Sequence, residues 1–220
     1  MTIDAILSET ILPLRTSDTG DDALGVMNDF YVRHLPIVND QQLLGVLSED
    51  DVLNNDAEEA VGSYALQIPT QVYVKISDHP FEAMRMLVEY NLTLIPVVDD
   101  QYNYLGLITA EDLLRAFATS VSFTEPGSII VLEVSKRDYS LAEIARIVES
   151  ENAAILSSFI TTNANDVRLE VTLKINRQNI FSIISTFERF KYEVKASFNE
   201  EEYLDTLKER YEGLMSYLNV

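Results

Sequence analysis

The sequence has 220 residues, 47% of them hydrophobic and 24% charged, which is the composition of a globular protein rather than of a disordered or membrane-embedded chain. Its 16 Lys and Arg residues against 36 Asp and Glu residues give a formal net charge of −20. Because so acidic a surface repels phosphate backbones and anionic lipid, we expect neither nucleic acid nor a membrane surface as a partner.

The sequence contains no cysteine, which excludes disulfides, thiolate nucleophiles and thiolate zinc sites. Its opening carries Asp4 and Glu9 but no Lys or Arg before Pro13, and so lacks the basic region of a secretory signal. No apolar run in the sequence approaches the ~20 residues that a membrane-spanning helix needs. We therefore expect a cytoplasmic protein.

The first 120 residues contain a sequence repeat. Residues of one copy recur sixty positions later, in the pairs Asp18 and Asp78, Ala23 and Ala83, Met27 and Leu87, Pro36 and Pro96, Val38 and Val98, and Asp40 and Asp100. After the proline the second copy gains one residue, so that Gly45, Ser48 and Asp51 align with Gly106, Thr109 and Asp112. A gain of one residue is what a turn tolerates.

Both copies predict the same order of elements. Apolar residues at helical spacing predict a helix around residues 23–30 and again around 83–88. Short β-branched runs on either side of a polar turn then predict a strand, a turn and a return strand, at residues 35–38 and 43–47 and at 94–98 and 104–108. Ser48 and Thr109 follow as N-caps of a second helix, with acidic residues in its first turn.

These residues form a pattern that resembles a tandem pair of CBS domains, also called a Bateman module. The first copy reads Leu35-Pro36-Ile37-Val38-Asn39-Asp40 and then Leu44-Gly45-Val46-Leu47-Ser48-Glu49-Asp50-Asp51-Val52-Leu53. The second reads Ile95-Pro96-Val97-Val98-Asp99-Asp100 and then Leu105-Gly106-Leu107-Ile108-Thr109-Ala110-Glu111-Asp112-Leu113-Leu114. We assign residues 1–60 to the first CBS domain and residues 61–122 to the second.

The turn-rich stretch 124–127 precedes a different pattern. We predict strands at residues 128–134, 154–162, 167–175 and 192–198 and helices at 140–150 and 178–190, which is the βαββαβ order of ferredoxin-like folds. Residues 168, 170, 172 and 174 are polar in alternation with apolar neighbours, so we expect their face of the sheet to be solvated. The predicted fold class is therefore mixed, with an α/β pair followed by an α+β domain.

The second domain follows the CBS pair in the chain, at residues 128–198. It resembles an ACT domain, a small amino-acid-sensing module. Its first loop, residues 135–144, lacks the glycine that ligand-binding ACT domains usually carry there. Residues 199–220 form the last predicted segment, an amphipathic helix with an apolar stripe of Tyr203, Leu207, Tyr211, Leu214 and Leu218. The stripe is compatible with packing on the chain's own core or with dimerisation.

The CBS resemblance implies a site for an adenine nucleotide such as AMP, ADP or ATP, or for an S-adenosylmethionine-like ligand. It implies that Asp51 and Asp112 accept hydrogen bonds from ribose and that Ser48 and Thr109 approach phosphate. The implied binding residues are Arg15, Thr16, Arg33, His34, Pro36, Ser48, Asp51, Thr109 and Asp112. Because Arg15, Arg33 and His34 serve only the first copy in this interpretation, we expect binding chiefly there.

A structural interpretation of the same residues stays open. Ser48 and Thr109 are good helix caps whether or not a ligand is present, and each aspartate stands in the first turn of its helix. His34 is compatible with a strand-end residue that has no ligand. The acidic pairs in turns, such as Asp99 and Asp100, are more typical of solvated loops than of a metal site, so no metal is expected.

The sequence carries no nucleophile elbow, P-loop or metalloprotease motif. We therefore predict a non-catalytic regulatory or sensor protein, similar to CBS proteins of the acetoin-utilisation accessory type. The competing interpretation is a structural oligomerisation adaptor with vestigial CBS clefts, and a third is a subunit of an enzyme whose active site lies on a partner. CBS pairs and ferredoxin-like units both commonly self-associate, so we expect a homodimer, with an unidentified regulated protein as a further partner.

Overall fold

The computed structural model describes residues 2–162 and 167–198. The chain divides into two compact units, Met1–Ser120 and Val121–Val220. The predicted helix at residues 199–220 lies outside the described residues. Within the described ranges, no helix combines the length and the hydrophobicity needed to cross a bilayer.

The first unit contains the two copies of the repeat. The first copy comprises α1 (Gly20–Asp29), β1 (His34–Asn39), β2 (Gln42–Ser48) and α2 (Glu49–Leu53). The second comprises β3 (Val74–Lys75), α3 (Pro80–Glu89), β4 (Leu94–Val98), β5 (Tyr104–Thr109) and α4 (Ala110–Ser120). In both copies the two longer strands pair as an antiparallel hairpin with a register shift near its turn. This α/β arrangement agrees with the predicted order of elements.

The start of each copy adds a parallel partner to its hairpin. In the second copy, β3 pairs with β4 through Val74 and Val97. In the first copy the same contact is a single bridge between Leu14 and Ile37. Lys75 therefore stands where Arg15 stands in the first copy, so a basic residue occupies this position in both copies.

Each copy also contacts the segment that precedes the other one. Ser8, ahead of the first copy, exchanges two backbone hydrogen bonds of 2.8 and 3.0 Å with Leu107 of the second. The Ser8 carbonyl comes so close that a Cβ at Gly106 would lie 2.9 Å from it, so glycine is required there. Ile3 belongs to the core of the second copy, and Leu94 and Leu107 to that of the first. The two copies are therefore interlocked.

In its described part, the second unit is a four-stranded antiparallel sheet with two helices. Its elements are β6 (Ser128–Ser135), α5 (Leu141–Ser150), β7 (Ile155–Thr161), β8 (Arg168–Ile175), α6 (Phe181–Arg189) and β9 (Glu193–Phe198). The strand order across the sheet is β7-β8-β6-β9. Alternate residues of β6 and β8 pack against α5 and α6 in one core, which includes Ile130, Leu132, Ile144, Leu173 and Phe187.

The opposite face of this sheet, which we call the outer face, is only in part solvated, contrary to the prediction. Glu170, Thr172 and Lys174 of β8 are all half-buried, and Arg168 is exposed. Alternation along one strand predicts which residues share a face. It does not predict how far their neighbours on adjacent strands cover them.

Candidate functional site

The repeat places two equivalent clefts in the first unit, where each hairpin ends and the next helix begins. The first cleft surrounds Ser48 and Asp51, and the second surrounds Thr109 and Asp112. In the first, the Asp51 amide donates to Ser48 Oγ at 3.1 Å, while the Ser48 amide and hydroxyl donate to Asp51 Oδ2 at 2.8 and 2.7 Å. This is a complete capping box, which satisfies donors at the start of α2.

Both carboxylate oxygens of Asp51 already accept hydrogen bonds from the protein. Its second carboxylate oxygen, Oδ1, accepts a hydrogen bond of 3.1 Å from the backbone amide of Gln67, and the residue is 1% exposed. Leu66, the residue before Gln67, lies so close to Gly45 that a Cβ there would be 2.7 Å from Leu66 Cδ1. The first cleft is therefore closed by the segment that leads into the second copy.

The second cleft is open. Thr109 Oγ1 donates to Asp112 Oδ2 at 2.7 Å and accepts from the Asp112 amide at 3.0 Å. Within the described part of the chain, Asp112 Oδ1 has no hydrogen bond, and Ser8, from the segment ahead of the first copy, pairs with the backbone of Leu107. Asp112 borders a cavity of about 590 Å³, lined by Ala5, Ile6, Leu7, Ser8, Asp112, Arg115, Ala116, Thr119 and Ser120. Small-molecule sites occupy roughly 300–1,000 Å³.

The positively charged side chain of Arg115 lies near Asp112 on the same helix. Arg115 follows it by three residues on α4, so both side chains are on neighbouring positions of one helix face. Arg115 Nη2 contacts Glu111 Oε1 at 2.7 Å, and the two side chains are 73% and 79% exposed. An ion pair so exposed to water is weak. The sequence analysis missed Arg115, although its spacing from Asp112 was a usable signal.

Arg33 and His34 lie at the junction between the two copies. His34 is 7% exposed, and its Nδ1 accepts from the Thr93 amide at 3.1 Å and lies 3.0 Å from Thr93 Oγ1. Burial, with the charge of Arg33 as a second cause, lowers the pKa of His34. The Arg33 amide donates to Thr93 Oγ1, and its Nε contacts Glu49 Oε2 at 3.2 Å. His34 thus holds the copies together as a neutral ring.

The remaining predicted residues lie elsewhere. Arg15 and Thr16 border a different cavity of about 550 Å³ beside the turn at Asn39 and Asp40, whose lining does not include Asp51. Pro36 is buried in β1. Its carbonyl accepts the Leu14 amide at 2.8 Å. The nine predicted binding residues are therefore distributed over several places in the fold.

In the second copy, an aromatic pair lies beside Lys75, the counterpart of Arg15. Lys75 lies 3.5 Å from Asp100 and above the ring of Tyr102, which packs edge-on against Tyr73. Among residues 2–162 and 167–198, His, Asp and Glu side chains form no cluster suited to a metal ion.

Comparisons with known proteins bear on the family of the repeat. The CBS domain profile matches residues 3–58 and 65–119, about half of the chain. An inosine-5'-monophosphate dehydrogenase from Methanocaldococcus jannaschii is 26% identical over 115 residues, which are 51% of this chain and 23% of that enzyme. The chain thus spans less than a quarter of that relative's length.

Two solved structures are similar to about half of this chain. A CBS domain pair/ACT domain protein from Thermotoga maritima is 20% identical with a TM-score of 0.49, and the match covers 55% of this chain and 99% of that one. The protein CBSX2, crystallised in complex with AMP, is 26% identical with a TM-score of 0.46, over 54% of this chain and 96% of that one. By the match of its two repeats to the family profile, this chain belongs to the CBS domain family as a tandem CBS pair.

Proposed function

We propose that this chain is a non-catalytic regulatory protein whose CBS pair binds an adenine nucleotide or an adenosyl metabolite in the second cleft. One observation carries the proposal. Asp112 borders a cavity of about 590 Å³ and keeps one carboxylate oxygen without a partner among the described residues, whereas both oxygens of Asp51 are engaged. The preference for the first copy, which the distribution of basic residues suggested, stays a prediction that the geometry does not favour.

The lining of the second cleft suits the parts of such a ligand. A carboxylate oxygen accepts hydroxyl donors of the kind that a ribose presents. The apolar side chains of Ile6, Leu7 and Ala116 offer a surface for an adenine ring. Among the residues that the structure describes, the Arg115 guanidinium is held only by an exposed ion pair with Glu111, so it is available to a phosphate.

Charge narrows the ligand class. A protein with a net charge of −20 repels polyphosphates more strongly than monophosphates. We therefore propose that AMP or an adenosyl compound with few phosphates binds more tightly than ATP, and that the difference shrinks as salt screens the protein's charge.

For the second unit we propose an ACT-like, ferredoxin-like domain. The order strand, helix, strand, strand, helix, strand and the sheet order β7-β8-β6-β9 support this assignment. Its first loop is closed on itself, since Ser135 Oγ donates to Asp138 Oδ2 at 2.7 Å. We propose that this domain assembles the chain into a homodimer or transmits the signal of the CBS pair to a regulated protein in the cytoplasm. The likeness to the acetoin-utilisation accessory type stays a prediction.

The alternative function is a structural adaptor without a ligand. The closed first cleft favours it, because there the motif residues serve as a helix cap. Thermal unfolding at low ionic strength, with AMP, ADP, ATP or S-adenosylmethionine, separates the two functions. A ligand that binds only the folded state stabilises it by about 2.7 kcal/mol at a hundredfold excess over Kd, which is a shift of a few degrees.

Asp112→Asn and Asp51→Asn are the matched variants for this experiment. We expect Asp112→Asn to lose most of the ligand-induced shift, and Asp51→Asn to melt at a lower temperature but to keep the shift. If no adenine compound at millimolar concentration moves the wild-type curve, the adaptor is the better account. If Asp51→Asn alone abolishes the shift, the ligand binds in the first cleft.

A further inference from the structure

The first copy contains a cavity that the proposed nucleotide site does not use. It has a volume of about 550 Å³ and lies where the segment before α1 meets the turn of the first hairpin. Its polar or conformationally fixed lining residues are Pro13, Arg15, Thr16, Ser17, Asn39 and Asp40. None of these residues borders the second cleft. The volume is within the range of small-molecule sites.

The corresponding stretch of the second copy has the same local hydrogen bonds. The Arg15 amide donates to Asp18 Oδ2 at 2.8 Å, and the Lys75 amide donates to Asp78 Oδ2 at 2.8 Å. Each stretch also pairs in parallel with the first strand of its hairpin. The two stretches are therefore equivalent, residue by residue, at a separation of sixty positions.

In the second copy, the counterparts of three cavity residues gather around a tyrosine ring. Lys75 Nζ lies 5.4 Å from the centroid of the Tyr102 ring, which is a cation–π distance, and 3.5 Å from Asp100 Oδ1. Tyr73 packs edge-on against the same ring, with 5.7 Å between the two centroids. By their positions in the repeat, these three residues around the ring correspond to Arg15, Asp40 and Pro13.

The first copy has no residue equivalent to Tyr102. Four residues separate the paired Val38 and Leu43 of the first hairpin, whereas five separate the paired Val98 and Tyr104 of the second. The residue gained by the second copy thus lies in the turn that contains Tyr102.

Arg15 consequently lacks the ring that its counterpart contacts. Among the residues that the structure describes, the Arg15 guanidinium makes no ion pair or hydrogen bond, and the Asp40 carboxylate makes none. Both side chains border the cavity. The first copy therefore presents a cation and an acceptor around a space where the second copy supplies its own phenol ring.

We propose that this cavity binds a small neutral phenol, with its ring against the Arg15 guanidinium as the Tyr102 ring lies against Lys75. The guanidinium attracts the face of the ring. The Asp40 carboxylate is an acceptor for the phenolic hydroxyl. An aromatic carboxylate fits less well, because Asp40 and the net charge of −20 repel it. The site is separate from the second cleft, so it does not depend on the proposed nucleotide.

Amide chemical shifts of the full-length chain, followed during titration with p-cresol at about pH 7, test the proposal. Phenols ionise near pH ~10, so p-cresol is neutral there. We expect saturable shifts at residues 15–17 and 38–40. The Kd should be roughly two- to fivefold lower than that of 4-methylcyclohexanol, which has a similar size but no aromatic face. The anion 4-methylbenzoate should bind more weakly than p-cresol.

Variants of Arg15 separate the cation from the rest of the cavity. Arg15→Gln should raise the Kd for p-cresol roughly two- to fivefold, and Arg15→Lys should retain the affinity. Arg146→Gln is the matched control for loss of a positive charge, since Arg146 is an exposed residue of α5 and does not line the cavity. It should leave the Kd unchanged.

Tyr102→Gly tests the comparison between the copies by removing the ring from the second one. Tyr102 has a φ of 65°, which glycine adopts without strain. We expect p-cresol to cause an additional set of shifts at residues 73–75 in this variant. A folded Tyr102→Gly variant without them would overturn the proposal, and the Arg15 variants decide it if Tyr102→Gly does not fold.

Three further outcomes would also overturn the proposal. One is a titration that does not saturate, or equal affinities for p-cresol and 4-methylcyclohexanol. Another is a set of shifts confined to residues 5–8 and 112–120, which would place the ring in the second cleft. The third is a Kd for N-acetyltyrosinamide about tenfold below that of p-cresol, which would assign the cavity to a tyrosine of a partner protein instead of a small molecule.

Discussion

The two clefts of the CBS pair share a motif but differ in chemistry. In both, a hydroxyl residue caps a helix and an aspartate follows three residues later. The difference comes from the segment that crosses over from the other copy. Gln67 donates its amide to Asp51, whereas Ser8 exchanges hydrogen bonds with the backbone of Leu107 and leaves Asp112 beside a cavity. A repeated motif therefore specifies the local cap, and the neighbouring segment decides whether a site is open.

The largest expected difference between the clefts is in stability. Asp51→Ala removes the carboxylate half of the α2 capping box and leaves the amides of Ser48 and Gln67 without their acceptor, which should lower the free energy of unfolding by about 3 kcal/mol. Asp112→Ala removes one half-buried hydrogen bond and should cost about 1 kcal/mol. Urea unfolding of the two variants measures both values. Equal losses would mean that the clefts do not differ as described.

A second prediction compares two exposed arginines, one at each cleft. Arg33 pairs with Glu49 and Arg115 with Glu111, and all four side chains are well exposed. Replacing either arginine by alanine should change stability by less than about 0.5 kcal/mol. Arg115→Ala should weaken AMP binding by about tenfold, the loss expected for one charge-assisted hydrogen bond, and leave the affinity for adenosine unchanged.

Calorimetric titration of Arg33→Ala and Arg115→Ala with AMP and adenosine measures these affinities. This prediction depends on the proposed function. A loss of AMP affinity in Arg33→Ala with none in Arg115→Ala would place the phosphate in the first cleft.

The smallest effect concerns pH. Burial lowers the pKa of His34 in the folded chain from its ordinary value of 6.5, so the unfolded chain binds the proton more readily. Stability from this group is therefore complete above pH 6.5 and declines as the pH falls through that value toward the lower, folded pKa. Protonation would also turn Nδ1, the acceptor for the Thr93 amide, into a donor that faces another donor.

His34→Leu, which places in the first copy the residue found at position 94 of the second, should be less stable at pH 7.5 but should lose less stability between pH 7.5 and pH 5.5. His79→Gln is the control, since His79 is the other histidine of the sequence and caps α3. Unfolding curves at the two pH values measure the change. An unaltered pH dependence in His34→Leu would show that carboxylates dominate it.

Local features of the fold were predictable from the sequence. The repeat predicted one antiparallel hairpin in each copy, and both are present. Ser48, Thr109 and Ser140 cap helices in the structure as predicted. Each of these features depends on residues within a few positions of one another. The CBS resemblance followed from the same local motifs and is confirmed by the family profile over residues 3–58 and 65–119.

The state of each candidate site was not predictable in the same way. The Asp51 carboxylate accepts a hydrogen bond from the amide of Gln67, sixteen residues later in the sequence. The His34 ring accepts one from the amide of Thr93, fifty-nine residues later. Such contacts depend on how segments cross in three dimensions, and spacing along one helix or strand does not report them. Lys75 is different, because its distance of sixty residues from Arg15 was visible in the repeat and was overlooked.

The crossing segments also determine when the CBS pair can fold during synthesis. The first copy completes its cleft with Gln67, and the second copy needs Ile3 in its core and Ser8 against Leu107. These last two residues are about a hundred positions apart, and contacts so distant in sequence form late and slow folding. When only the first copy has emerged from the ribosome, its cleft is incomplete and residues 3–8 have no second copy to pack against. The pair should fold as one cooperative unit, after both copies have emerged.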